Sequence, residues 1–229
     1  MNVSKKSGQV RIGAILILAI FISIISGMWI TKFFNDNPQA REVSVSEYSG
    51  RVFEPPIPLQ SFNLTDHEGQ SFSPVNLLGY WTFVFFGYTN CPDVCPMALV
   101  DLNAVYDDLA SKFVLGNTKV LFVSVDPERD NLTHLAEYIS FFNEDFTGVT
   151  GNAAQIASFA KQFGAVYKKV ENREDADDYL VDHTASIMLI DHLGRLISIF
   201  PPPLDHKKIV ADFLKLRDRY GDGYGCLIN

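Results

Sequence analysis

One stretch limits the choice of folds more than any other. "WTFVFFG" (81–87) is a nearly unbroken apolar run, and "YTNCPDVCP" (88–96) follows it directly. A short apolar run without alternation reads as a strand buried on both faces, so other elements must cover it above and below. Cys91 and Cys95 each precede a proline, and a residue before proline is biased away from helical φ/ψ. Pro96 suits the first position of a helix. The expected unit is therefore a buried strand, a short loop from Cys91 to Cys95, and a helix. Leu102, Val105, Tyr106, Leu109 and Phe113 recur at the spacing of that helix's apolar stripe.

The rest of the chain repeats these signals. "KVLFVSVD" (119–126) is a second buried strand, and Leu132, Leu135, Ile139 and Phe142 mark the next helix. Asn152 with Gln155 opens another helix in capping-box style; its stripe is Ile156, Phe159 and Phe163, and Gly164 ends it. "FNLTDHEGQSF" (62–72) reads as a hairpin turning through His67, Glu68 and Gly69, and "SIMLID" and "RLISIF" (186–191, 195–200) as strands joined through "HLG". Asp205 caps a last helix carrying Ile209, Val210, Phe213 and Leu214. Strands and helices alternate, then a hairpin and a helix close the order. That pattern gives an α/β domain with a central mixed sheet flanked by helices.

The N-terminal part obeys another logic. Ile12 to Thr31 is a 20-residue stretch without charge, bracketed by Arg11 and Lys32. At ~1.5 Å per residue it spans a hydrocarbon core of ~30 Å. A cleaved signal peptide has a shorter apolar core followed by small residues, whereas Ile25 and Trp29 stand where those would be needed. The expectation is an uncleaved anchor over 12–31 behind a cytoplasmic 1–11, in a bacterial inner membrane, with the C-terminal part in the periplasm. Residues 32–58, polar and then proline-rich, read as a linker, 59–220 as one domain, and 221–229 as a loose tail. Beyond the anchor's flanking bases, 15 Lys+Arg face 27 Asp+Glu, close to −12. A surface of that sign excludes nucleic acid as a natural partner.

The chemistry concentrates at Cys91 and Cys95. A thiol at a helix N-terminus has a lowered pKa, and two thiolates there suit redox exchange or a soft metal. A disulfide staple is the plainer alternative, but it would close a ring of only five residues and stabilise little. Of the five histidines, His67, His134, His192 and His206 fall in turns or on helix faces. His183 differs: "YLVDHTASIMLID" places it beside Asp182, on the approach to a buried strand. If that strand neighbours the one leading to Cys91, the imidazole reaches the cysteine loop. Two thiolates and an imidazole suit copper, while zinc uses the same atoms but usually wants four ligands.

"FGYTNCPDVCP", "VSVDPERDN", "FTGVTG" and "YLVDHTASIMLID" occur in an order and spacing that resemble the Sco/SenC family over about residues 55–217. The resemblance implies a membrane-anchored, thioredoxin-like copper protein that serves cytochrome c oxidase assembly. It implies Cys91, Cys95 and His183 as copper ligands with Asp126 near the site, and Asp182, adjacent to His183, is a candidate to support them. It implies delivery of copper to the binuclear copper centre of oxidase subunit II, a periplasmic copper donor, and a thiol reductant. Asn90, Met188 and His192 depart from the family's usual residues without removing a ligand.

Three functions compete on these residues. A copper chaperone holds the ion in Cys91, Cys95 and His183 and passes it on by ligand exchange. A thiol-disulfide reductase uses the cysteine pair to keep the oxidase subunit's cysteines reduced, with His183 tuning a pKa. A thiol peroxidase would need one activated cysteine and make little use of the pair. The acidic "ENREDADD" (171–178) reads as a solvated hairpin tip, and Cys226 as incidental to the site.

Overall fold

The computed structural model describes residues 23, 25, 41–42, 48–112, 115–171 and 179–221. The chain divides into two compact units, Met1–Arg41 and Glu42–Asn229. Of the apolar span expected to form an anchor, only Ser23 and Ile25 are described, both helical. No helix among the described residues is long and apolar enough to cross a membrane. Cys226 and most of the acidic segment lie outside the described residues.

The second unit is built on a mixed sheet. Its strands are β1 (Arg41–Glu42), β2 (Arg51–Pro58), β3 (Leu64–Asp66), β4 (Ser71–Phe72), β5 (Trp81–Gly87), β6 (Thr118–Ser124), β7 (Thr147–Thr150), β10 (Ile187–Ile190) and β11 (Arg195–Phe200). They lie in the order β1-β2-β11-β10-β5-β6-β7-β3-β4. Strands β8 (Tyr167–Glu171) and β9 (Tyr179–His183) pair only with each other, as a separate antiparallel hairpin. The helices are α1 (Val94–Ser111), α2 (Leu132–Phe142), α3 (Ala153–Gln162) and α4 (His206–Tyr220).

β5 is central because every one of its residues is buried. It runs parallel to β6 and antiparallel to β10. Its side chains alternate between two helical layers, as the two-residue period of a strand demands. Trp81 and Phe83 meet Phe213 of α4 at ring-centroid distances of 5.6 and 5.3 Å. On the other face Phe86 meets Phe159 of α3 at 5.9 Å. The expected caps form: Asn152 and Gln155 close a reciprocal capping box on α3, and Asp205 accepts from the backbone of Lys207 and Lys208 on α4. Gly69 in the β3–β4 turn has φ +85°, a conformation that glycine adopts without strain.

Two boundaries differ from the expectation. The end of the proposed linker is not a tether: Arg51–Pro58 is β2, paired antiparallel with β11. Its prolines mislead because proline breaks a ladder, but the register shifts between Leu196 and Ser198 and leaves residues 53–56 unpaired with β11. Pro55 and Pro56 fall in that gap, where no backbone N–H is needed. Helix α1 also starts earlier, with Asp93 as its N-cap. Cys95 thus belongs to the first turn and Pro96 is its third residue, still among the N–H positions that a helix leaves unpaired.

Candidate metal centre

Cys91, Cys95 and His183 converge, with their ligand atoms all within 4.8 Å of one another. Three different elements deliver them: the loop after β5, the first turn of α1, and the end of β9. The sulfur of Cys95 lies 3.2 Å from Nε2 of His183. Nδ1 of His183 lies 3.3 Å from the Thr184 carbonyl. The tautomer that donates from Nδ1 to that carbonyl leaves Nε2 as a lone-pair donor facing the sulfurs.

The two thiols are unlike. Asp93, at the N-cap of α1, makes no capping hydrogen bond with its side chain. Instead the Cys95 backbone N–H donates to the sulfur of Cys91 at 3.4 Å. Cys91 thereby serves as the helix's anionic cap, at the positive end of the dipole. Its thiol is held well below the ordinary range, chiefly by a hydrogen bond with Cys95, helped by His183 and by backbone N–H groups of Asp93 and Cys95. Cys95 is fully buried. The neighbouring Cys91 sulfur and then burial push its thiol up. The half-buried sulfur thus ionises more readily than an ordinary thiol, and the buried one less readily.

Gly87, the last residue of β5, explains how Cys95 fits. A Cβ there would lie 2.7 Å from the Cys95 sulfur and 2.8 Å from the Phe122 ring. The sulfur packs directly on the strand backbone, which only glycine permits. Around the imidazole, Phe85 and Tyr88 stand edge-on at 5.8 and 5.9 Å. Aromatic edges thus line two sides of the ring, and Nε2 faces the Cys95 sulfur.

Asp126 and Asp182 hold different places from the ligands. Asp126 is buried. It accepts from Arg129 Nε at 2.5 Å and from the Tyr179 hydroxyl at 2.6 Å. It therefore supports β9, the strand that carries His183, and does not face the sulfurs. Asp182 is exposed. Alternation along β9 puts Tyr179, Val181 and His183 on one face and Leu180 and Asp182 on the other. Sequence adjacency to His183 therefore places the carboxylate away from the centre. Asn90 is exposed, bonded to the Thr89 hydroxyl at 3.1 Å, while Met188 is buried in β10 opposite Val84.

The remaining histidines stand apart from the group. His67 lies in the β3–β4 turn, accepting from the Gly148 N–H at 3.1 Å, and His192 packs on Trp81 with ring centroids 5.8 Å apart. Among the described residues, Cys91, Cys95 and His183 form the one cluster of three or more His, Cys, Asp and Glu side chains able to hold a metal. The sequence reading missed Gly87, Tyr88, Arg129 and Tyr179. A glycine closing a buried strand was a readable signal of close approach; the other three act through long-range contacts that leave no local pattern.

A central strand, parallel to one neighbour and antiparallel to the other and ending in a cysteine loop and helix, defines a thioredoxin-like α/β domain, here with an imidazole opposite its thiols. The SCO1/SenC family profile matches residues 54–217. The chain belongs to the SCO1/SenC family. It is 31% identical over 208 residues to the mitochondrial protein SCO1 of Saccharomyces cerevisiae, covering 89% of this chain and 70% of that one. It is 36% identical over 139 residues to the mitochondrial SCO1 homolog of Homo sapiens, covering 61% of this chain but only 46% of the human protein. Among solved structures, yeast Sco1 with copper bound superposes with a TM-score of 0.67 at 31% identity, covering 73% of this chain and 92% of that one. Bradyrhizobium japonicum ScoI with copper bound gives 0.62 at 35% identity, covering 69% and 98%.

Proposed function

We propose that this protein is a copper chaperone of cytochrome c oxidase assembly, delivering the ion to the binuclear copper centre of subunit II. The observation that carries the reading is the convergence of Cys91, Cys95 and His183. Relatives solved with copper bound support it. Copper is the cargo. Cys91 offers a thiolate already at neutral pH, Cys95 gives up its proton as the ion enters, and His183 supplies Nε2. Two soft thiolates hold Cu(I), while the imidazole adds most for Cu(II). Delivery follows as an acceptor's thiolates and imidazoles replace these ligands one at a time. The half-buried Cys91 is the first sulfur such an acceptor can reach. The uncharged span at 12–31 supports an anchor that keeps the domain on the periplasmic side of a bacterial inner membrane.

The experiment is metal analysis of the purified protein, reduced and loaded with Cu(I) or Cu(II). One copper per chain is expected, lost when Cys91, Cys95 or His183 is replaced for Cu(II), and when either cysteine is replaced for Cu(I). A protein that retains no copper refutes the proposal.

The asymmetry of the thiols favours a second reading. A depressed Cys91 beside a raised Cys95 is the arrangement of an attacking and a resolving thiol. Cys91 thiolate attacks a partner disulfide, forming a mixed disulfide and releasing one partner thiolate. Cys95 then loses its proton and attacks the Cys91 sulfur, releasing the second partner thiolate and leaving a Cys91–Cys95 disulfide. An external dithiol reductant must reset the pair. Normal oxidase activity with His183→Ala but not with Cys91→Ser would favour this reading.

A further inference from the structure

Strand β9 brings the imidazole to the sulfurs, yet it has no place in the main sheet's ladder. Something else must hold it. The contacts that do so meet at Arg129, in the turn after β6. Its Nε donates to Asp126 at 2.5 Å, and its Nη1 donates to the Tyr179 backbone carbonyl at 3.0 Å, at the first residue of β9. The guanidinium carbon lies 3.5 Å from the ring centroid of Tyr179 and 5.6 Å from that of Tyr88. Tyr88 closes the circuit. It immediately follows β5, and its ring stands between the Arg129 guanidinium and the His183 ring, 5.9 Å from the latter. An ion pair between hairpin and body, Lys169 with Glu128 at 3.3 Å, is exposed and contributes little.

We propose that Arg129 is a positioning residue for the metal centre: it clamps β9 to the cysteine-bearing body and so fixes His183 Nε2 opposite the two sulfurs. The inference rests on the copper reading above and adds a residue that touches no ligand. A planar fork is needed, because one group must serve a carboxylate, a carbonyl and two aromatic faces at once; a lysine ammonium cannot. Through the Tyr179 carbonyl and ring the clamp acts on β9, the strand that carries the imidazole. Its loss must therefore separate the two oxidation states of copper, which a general loss of stability would not do.

The test compares full-length wild type with Arg129→Gln and Arg129→Lys. Groups that orient metal ligands typically contribute ~10–100-fold to affinity. Both variants should lose Cu(II) affinity by about that factor, with a weakened or shifted thiolate-to-Cu(II) charge-transfer band. Cu(I) affinity, resting on two thiolates, should change far less. In the metal-free protein, amide exchange at residues 179–183 should speed up in both variants. Wild-type Cu(II) affinity, band and exchange in a folded Arg129→Gln would overturn the proposal. Should Arg129→Gln fail to fold, Arg129→Lys, which keeps stem and charge, decides by the same measurements. If wild type binds no copper, the functional reading falls, and the exchange still judges the clamp: faster exchange supports it and unchanged exchange overturns it.

Discussion

The cysteine loop and the histidine hairpin meet at one point but are held there by different forces. Cys95 is buried against Gly87 and Phe122 at the end of a strand with no exposed residue. Moving it means disturbing the hydrophobic core. His183 ends a five-residue strand paired to one other strand, with Leu180 and Val170 turned to solvent at 50% and 42% exposure. Tyr179 and Val181 are its buried side chains, and polar and aromatic contacts hold the rest, so less apolar burial resists its motion than at Cys95. The centre thus has a rigid thiol half and an adjustable imidazole half. Such a division suits a protein that must both hold an ion and release it: an ion kept by the sulfurs can lose its nitrogen without the domain unfolding.

Substitutions that strike one half and not the other can break this contrast. The largest effect belongs to the rigid half. Cys95→Ser should abolish retention of both Cu(I) and Cu(II), a loss beyond the ~10–100-fold range of supporting residues. Equilibrium competition against a chelator would show it, and a variant that still held either ion tightly would mean the buried sulfur is no ligand. His183→Ala should be selective, costing Cu(II) heavily while leaving much of the Cu(I) affinity and a Cys91–Cys95 pair that still cycles. Equal losses for the two ions would remove the distinction between the halves.

Stability sharpens the same comparison. Phe83→Ala, at a fully buried site, should cost ~3–5 kcal/mol in denaturant unfolding, whereas Leu180→Ala on the hairpin should stay within ~0.5 kcal/mol. Comparable costs would mean that the hairpin is part of the core. A smaller effect concerns the thiols themselves. An ordinary thiol near ~8.5 loses thiolate about tenfold per pH unit below that value. The Cys91 pKa is depressed, so its thiolate persists as pH falls; the Cys95 pKa is raised, so it stays protonated through neutrality. In the reduced, metal-free protein, alkylation should therefore modify one cysteine, at a rate nearly flat between about pH 8 and 6. Two equivalent, steeply pH-dependent thiols would contradict the asymmetry.

What the sequence disclosed follows the same line. The rigid half was readable, because apolar runs at 81–87 and 119–126 and the caps at Asn152 and Asp205 are local signals, and all four appear where expected. His183 was also placed near the cysteines, since β10 neighbours β5. Of the hairpin, the acidic 171–178 was readable as its tip, and β8 and β9 pair on either side of it, but the strand character of its first arm was not. "YKKVE" in β8 has few apolar residues, and its strand character comes from pairing with β9. Arg51–Pro58 read as a tether because three prolines argue against a strand, and only its irregular pairing with β11 accommodates them. Arg129 gave no signal because its partner Tyr179 lies 50 positions away. Asp182 drew attention by adjacency, which in a strand points a side chain to the opposite face.

X-ray absorption at the copper edge of the Cu(I)-loaded protein tests the three-residue centre most directly. Two sulfur ligands and one imidazole nitrogen are expected from the copper's first coordination sphere in wild type, with that nitrogen gone in His183→Ala and both sulfurs kept. A wild-type spectrum without two sulfurs, or an imidazole signal that survives His183→Ala, would contradict a centre formed by Cys91, Cys95 and His183.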